Sequence, residues 1–289
     1  MSTHKMTARY DTLRTPSKKS GLKAWRLQRI TFLALGASQW MRAFSAGLLI
    51  ATTGCALPPS SHQTSPLNAS SWAQANHLPK PAQGAYWRHQ AIGNRPASFY
   101  TPEHHAGRPA LKAKSEQGDS LVRLPLAIEA KAMGVLHFSW FVNALNPLSD
   151  LADRHLDDAV ARVIIQFDGD RAGFSPRDLL LSDMMQMATG EPLPYATLMY
   201  VWDHRYPVGT VIPHARSARI KTLVIESGQG RLGRWVDFER NVAADCEAAF
   251  GKIPQRVSGI ALMTDSNNTR HASVAWYGPL SWHPAPAQP

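Results

Sequence analysis

This chain is poor in cysteine, in acid–base imbalance over most of its length, and in long apolar runs. Each shortage removes a class of protein. It has two cysteines in 289 residues, Cys55 and Cys246. With Cys55 committed to an anchor, as argued below, no intrachain disulfide can form. Cys246 lies in Val242–Phe250, where Val242, Cys246, Ala249 and Phe250 share one helical face, so it reads as core rather than as a reactive thiol. There is no G-x-S-x-G, no H-E-x-x-H and no C-x-x-C, and the twelve histidines stand without ligand spacing. The familiar signatures of nucleophilic and zinc enzymes are therefore missing.

The formal net charge of +10 points at first to nucleic acid or a membrane surface. Its distribution argues otherwise. Residues 1–54 carry nine basic residues and one acid, a net of +8, and the remaining chain carries only +2. A domain so nearly neutral, with no basic stripe, has little pull on a phosphate backbone, and nucleic acid is set aside as a partner.

The charge belongs to an amino-terminal leader. Residues 43–54 form a short apolar stretch behind Arg42, ending in small residues before Cys55. That is the layout of a signal peptide, too short to span a bilayer. Gly54-Cys55 after Thr53 resembles the lipobox of bacterial lipoproteins, although Thr52 stands where that pattern prefers Leu. The resemblance implies a lipid on Cys55, loss of residues 1–54, and attachment to the periplasmic side of the envelope. Ala56 implies sorting to the outer membrane. Met41 is expected to be the true start. The rival, a membrane anchor over Ile30–Thr53, is interrupted by Gln39 and Arg42, and a mid-span Arg is costly. Residues 55–84, with Pro58, Pro59, Pro66, Pro79 and Pro81, read as a disordered Pro/Ser-rich tether.

From residue 85 to 283 the pattern becomes short alternating runs between turns, followed by a disordered tail over 284–289. Strands are expected at Ala97–Tyr100, Ala110–Lys114, Leu121–Ile128, Val135–Val142, Val160–Asp168, Ala196–Asp203, Arg219–Glu226, Arg256–Thr264 and Ala272–Tyr277. In Val160–Asp168 the odd positions Ala161, Val163, Ile165 and Phe167 share one face, and Arg162, Ile164, Gln166 and Asp168 share the other. Nine such runs predict a single mostly-β domain, a two-sheet antiparallel β-sandwich of jelly-roll or galactose-binding-like type, with two short helices. The first helix starts at Ser175-Pro176, is stopped by Gly190, and is expected to bury Leu180, Met184, Met187 and Ala188. The second is Val242–Phe250, ended by Gly251.

Four sequence clusters could carry chemistry. Gly228-Gln-Gly230-Arg-Leu-Gly233 matches a dinucleotide fingerprint, but it is not followed directly by a helix, so a glycine hairpin explains it. Thr264–Thr269 offers oxygen ligands, including Asp265 and Asn267, for a structural Ca²⁺; a hairpin turn competes with that reading. Asp157 and Asp158 stand close to Arg162 and could form a buried cluster that orients a polar ligand. Trp202-Asp203, at a strand end, suits stacking on a sugar ring, against the alternative of a core Trp beside a loop salt bridge.

Several of these blocks occur together in one known family. Asp157–Gly169, Tyr200–Trp202, Pro207–Val211, Leu232–Trp235, Met263–Asp265 and Ala275–Gly278, in this order, resemble an uncharacterised bacterial family catalogued as domain of unknown function 3047. The resemblance implies a secreted or periplasmic β-sandwich with no assigned activity. It also implies a second acid at position 267, where this chain has Asn267, which weakens the calcium reading. A looser likeness to jelly-roll carbohydrate-binding modules concerns fold alone.

Taken together, the sequence leads to an envelope lipoprotein that binds a glycan or another polar envelope ligand without catalysis, through Arg162, Trp202 and Asp203, with Asp157 and Asp158 orienting Arg162. No cofactor is expected beyond a candidate structural calcium. The enzymatic alternative is a glycan hydrolase or lyase using two of Asp157, Asp158, Asp203 and Asp265. The remaining alternative is an assembly lipoprotein that contacts protein partners, which would expose a large apolar patch.

Overall fold

The computed structural model describes residues 66–79 and 84–285. The leader with Met41, the lipidation candidate Cys55, and the tether segments 56–65 and 80–83 lie outside the described residues, as does the end of the tail, 286–289.

Alternating side chains build two sheets. The seven-stranded sheet runs β1 (Arg88–Ala91), β4 (Ser120–Glu129), β11 (Arg256–Met263), β6 (Arg162–Asp168), β7 (Ala196–Asp203), β9 (Ile220–Ser227) and β8 (Val211–Pro213) in spatial order. The second sheet runs β10 (Trp235–Asn241), β5 (Val135–Val142), β12 (Ser273–Tyr277), β3 (Arg108–Ser115) and β2 (Phe99–His105), and β13 (Ser281–His283) also pairs with β5. Every one of the nine expected strands is present, and two of them, β5 and β7, have the expected bounds. The expected mostly-β sandwich is the observed fold. One pairing departs from the antiparallel expectation: β7 and β9 run parallel, with β8 folded back on the outer side of β9.

The inward faces of the two sheets supply the core. Leu136, Phe138 and Trp140 of β5 meet Val163, Ile165 and Phe167 of β6 and Leu198, Tyr200 and Trp202 of β7 in one buried cluster. The Tyr277 hydroxyl ties the sheets together. It accepts the backbone N–H of Arg162 at 3.1 Å and donates to the Met263 carbonyl at 2.6 Å.

Residues 66–79 are not tether. They form α1 (Ser71–Gln74), capped by the Ser70 side chain, and they send Trp72 into the core with no exposed surface. The Trp72 ring lies 5.1 Å from that of Trp87, and its indole N–H donates to the Gly278 carbonyl at 3.1 Å. Asn68 and Asn76 bond the backbone at Trp87 and Leu280. Composition alone favoured disorder here, but one large buried aromatic outweighs a polar, proline-rich background.

The two expected helices are α2 (Pro176–Thr189) and α3 (Val242–Phe250). Helix α2 begins with the predicted cap: Ser175 Oγ accepts the Asp178 N–H, and Asp178 Oδ2 reaches back to Ser175. Its rotation differs from expectation. Leu180 is 62% exposed and Met187 80% exposed, and Met184 also faces out. Asp178 and Ser182 face in, beside Leu181 and Met185. The helix is apolar on both sides, so periodicity could not choose between them. Hydrogen bonds do: Ser217 Oγ donates to Asp178 at 2.6 Å, and the Leu193 N–H donates to Ser182 Oγ at 3.2 Å. Helix α3 follows the expected face, with Val242, Cys246 and Ala249 buried.

Candidate functional site: a cleft over the seven-stranded sheet

The outward face of the seven-stranded sheet is not flat. Ile164 of β6, together with Ala261 and Met263 of β11, forms a second small apolar cluster, joined by Ile92, Leu121 and Met199. Helix α2 lies over one side and contributes Leu181 and Met185. Between them runs a cleft of about 240 Å³. Among the described residues, no Phe, Tyr or Trp lines it. Its lining changes character from one part to another: apolar where Ile164, Met199, Met263, Leu181 and Met185 stand, and charged where Arg95, Asp119, Arg154, Asp157, Arg162, His214, Arg216 and Asp265 gather.

Arg162 is the centre of the charged part. It comes from the start of β6, on the face opposite Val163, so the strand's alternation carries its side chain outward. Its Nε donates to Asp265 Oδ1 at 3.0 Å and its Nη2 to Asp265 Oδ2 at 3.2 Å. Nη2 also donates to Asp157 Oδ1 at 2.7 Å. Nη1 is different. Among the described residues it meets only the Met199 sulfur, at 3.8 Å, a weak acceptor. A buried guanidinium thus turns one of its nitrogens, with two N–H donors, toward the cleft without an oxygen acceptor. Burial works against the charge, but Asp265 and Asp157 outweigh it and raise the guanidinium above its ordinary pKa, so it remains a cation.

Asp265 is fixed from two sides. Besides Arg162, it accepts the Ala159 N–H at 3.1 Å. Burial pushes its carboxyl up to about 7, against the lowering pull of Arg162. His214, at the rim, is lowered by burial and by Arg162, Arg216 and Arg177, against the raising effect of Asp157. Asp119, buried and paired with Arg95, is raised by burial.

The sequence brought together residues that the fold separates. Arg162 and Asp157 do meet. Asp158 does not orient Arg162: its carboxylate accepts the Asn268 and Thr269 N–H groups, at 3.1 and 2.6 Å, and the Thr269 hydroxyl. It pins the loop after β11. Trp202 points into the core, 1% exposed, with its N–H on the Gly228 carbonyl, and has no free face for a sugar. Asp203 is buried and accepts the Arg205 and Tyr206 N–H groups at a tight turn. Arg162 pairs in register with Val201, so Trp202, one residue on, falls on the other face of the sheet.

The calcium reading of the 264–269 loop fits poorly. Asp265 is already neutralised by a guanidinium, and the Asn267 side chain donates to Asn268. The loop is not a hairpin turn either, since it carries the chain from β11 in one sheet to β12 in the other. The same holds for Gly228–Gly233, between β9 and β10, where Gly228 and Gly233 adopt positive φ. Asp119, Arg95, His214 and the apolar floor were not singled out from the sequence. They come from seven separate segments that only tertiary packing assembles.

The sequence model of a family described as Protein of unknown function (DUF3047) matches residues 85–281. The match spans the sheets and the cleft and begins after α1. No curated protein matches the chain.

Proposed function

Because the chain belongs to the family Protein of unknown function (DUF3047), whose description carries no activity, its role must be argued from the site, and we propose that it is a non-catalytic binding domain for an acidic small ligand of the cell envelope. The observation that carries this reading is Arg162 Nη1, a donor of a buried cation lining the cleft, which meets no oxygen acceptor among the described residues. A carboxylate or phosphate oxygen would supply the missing acceptor through a charge-assisted hydrogen bond. The glycan expectation rested on Trp202. With that ring in the core and no Phe, Tyr or Trp lining the cleft among the described residues, an acidic group is better supported than a neutral sugar.

The enzymatic alternative has less support. Asp158 spends both oxygens on backbone N–H groups, Asp203 is buried at its turn with Oδ2 accepting two backbone N–H groups, and Asp157 and Asp265 are both counter-ions of Arg162. An assembly role has one observation in its favour, the exposed strip of Leu179, Leu180, Met184 and Met187 on α2.

Thermal shift of the full chain carrying Cys55→Ser, with butyrate, glucuronate and methyl phosphate as probes, tests the reading. Stabilisation by at least one acid, lost in Arg162→Lys, which keeps a cation beside Asp265 but withdraws the Nη1 donor, is the expected result. No stabilisation, or equal stabilisation in Arg162→Lys, overturns it. For a protein partner on α2, Leu180→Glu with Met187→Glu would abolish the contact and leave acid binding unchanged.

The lipobox-like run before Cys55 supports a membrane-tethered location, facing the periplasm and sorted to the outer membrane. Mass spectrometry of the protein from its host should then find a mature chain beginning at acylated Cys55. A retained 1–54 segment would contradict this.

A further inference from the structure

Resting on that reading, we propose that the ligand is a single-chain amphiphile, with its acidic head on Arg162 and its alkyl chain lying along the apolar floor toward α2. The floor is the argument. Ile164, Met263, Leu121 and Met199 form an apolar cluster on the outer face of the sheet, apart from the main core, and Leu181 and Met185 of the helix, which also pack against that core, close the lane from the other side. An apolar lane that ends at a buried cation matches a ligand with an alkyl part and an acidic head, since burying the alkyl part against such walls is itself favourable.

The composition of the lane narrows the class further. Three methionines, Met185, Met199 and Met263, line it, and flexible thioethers adapt to chains of varied shape better than branched side chains do. Among the described residues no Phe, Tyr or Trp lines the cleft, so the broad stacking surface that a sugar or nucleobase would use is missing there. At about 240 Å³ the space falls below the roughly 300–1,000 Å³ of a typical drug-sized ligand pocket, so it suits one short or medium alkyl chain rather than two. The head is read at the other end. Arg162 offers Nη1, and Arg154 and Arg216 stand at the rim of the same cleft. Arg162 pairs with both Asp157 and Asp265, and Arg95, Arg154 and Arg216 bring the lining to four arginines against the three acids Asp119, Asp157 and Asp265, so an incoming anion meets a net positive cleft.

The chemistry of the head, an alkyl acid, has two sources: a free fatty acid or a phosphate-bearing lipid fragment. The test uses isothermal titration of the full chain carrying Cys55→Ser, which removes any acyl group the protein itself would bring. The probes are alkyl carboxylates from butyrate to dodecanoate, alkyl phosphates of equal length, and the matching alcohols, all below their micellar concentrations. Affinity should rise about three- to fourfold per added methylene until the lane is filled, and then level off. It should fall at least tenfold for alcohols of the same length. Met185→Trp should move the plateau to shorter chains while short acids still bind at Arg162. Tighter carboxylates would identify the free acid as the source, and tighter phosphates the lipid fragment. If acids bind with no dependence on chain length, the amphiphile inference fails and the acidic-ligand reading stands. If alcohols bind as well as acids, the head is not read and this inference also fails. If no acid of any length binds, both fall.

Discussion

Arg162 Nε lies 3.0 Å from Asp265 Oδ1, and the pair joins β6 to the first residues after β11 inside a sheet face that also carries Ile164 and Met263. A buried ion pair is costly to assemble and costlier to break. The fold accepts it here together with a cation that still has a free donor, which is the reason to read the pair as part of a site rather than as a clamp alone.

Removing one partner should therefore unfold more than it disables. Arg162→Met leaves Asp265 buried without its counter-ion and should cost about 3–5 kcal/mol in urea unfolding, whereas Asp265→Asn leaves Arg162 with Asp157 and should cost less. The double variant Arg162→Met with Asp265→Leu should recover much of that loss while abolishing acid binding. A double variant less stable than either single one would mean that the pair holds the two strands together by itself.

The segment before the family match should behave as part of the domain. Trp72→Ala should cost about 3–5 kcal/mol, in the range for a fully buried aromatic. A chain starting at residue 66 should keep the full stability, and one starting at residue 84 should lose a similar amount. Chemical unfolding followed by tryptophan fluorescence checks both. Equal stability of the two shortened chains would return residues 66–79 to the tether.

Cys246 should be silent in the folded protein. It has no exposed surface, and burial, with Asp245 nearby, pushes its thiol up to about 12. Reaction with Ellman's reagent, measured on the chain carrying Cys55→Ser, should be slow in buffer and complete in denaturant. Rapid reaction in buffer would mean that α3 opens readily.

His214 gives a pH signature. Its folded pKa is lowered, so the unfolded chain takes up its proton first as pH falls. The stability linked to His214 is present above the unfolded value of about 6.5 and is lost as pH drops through the folded value. His214→Gln should make the stability profile flatter below neutral pH. An unchanged profile would show that His214 is as well solvated folded as unfolded.

How much of this was legible depended on distance along the chain. Strand cores were legible, because period two is local: β5 and β7 have the expected bounds. Short strands such as β1, β8 and β13 offer three or four residues, too few for a period to show. The cap of α2 was legible from Ser175, Pro176 and Asp178. Its rotation was not, because it depends on Ser217 and Leu193, far along the chain. The site failed in the same way. Alternation within β6 correctly set Arg162 apart from Val163, but grouping Arg162 with Trp202 needed the register between β6 and β7. A shift of one residue there moves a side chain from one face of the sheet to the other.

The most direct test of the central claim is the side-chain ¹H–¹⁵N spectrum of Arg162 during titration with butyrate. A buried, ion-paired guanidinium exchanges slowly with water, so its Nε and Nη signals should be resolved. The account predicts that the Arg162 Nη1 signals move with added acid and that they move more than those of Arg154 and Arg216. Acid-dependent shifts confined to exposed arginines, with Arg162 unmoved, would contradict it.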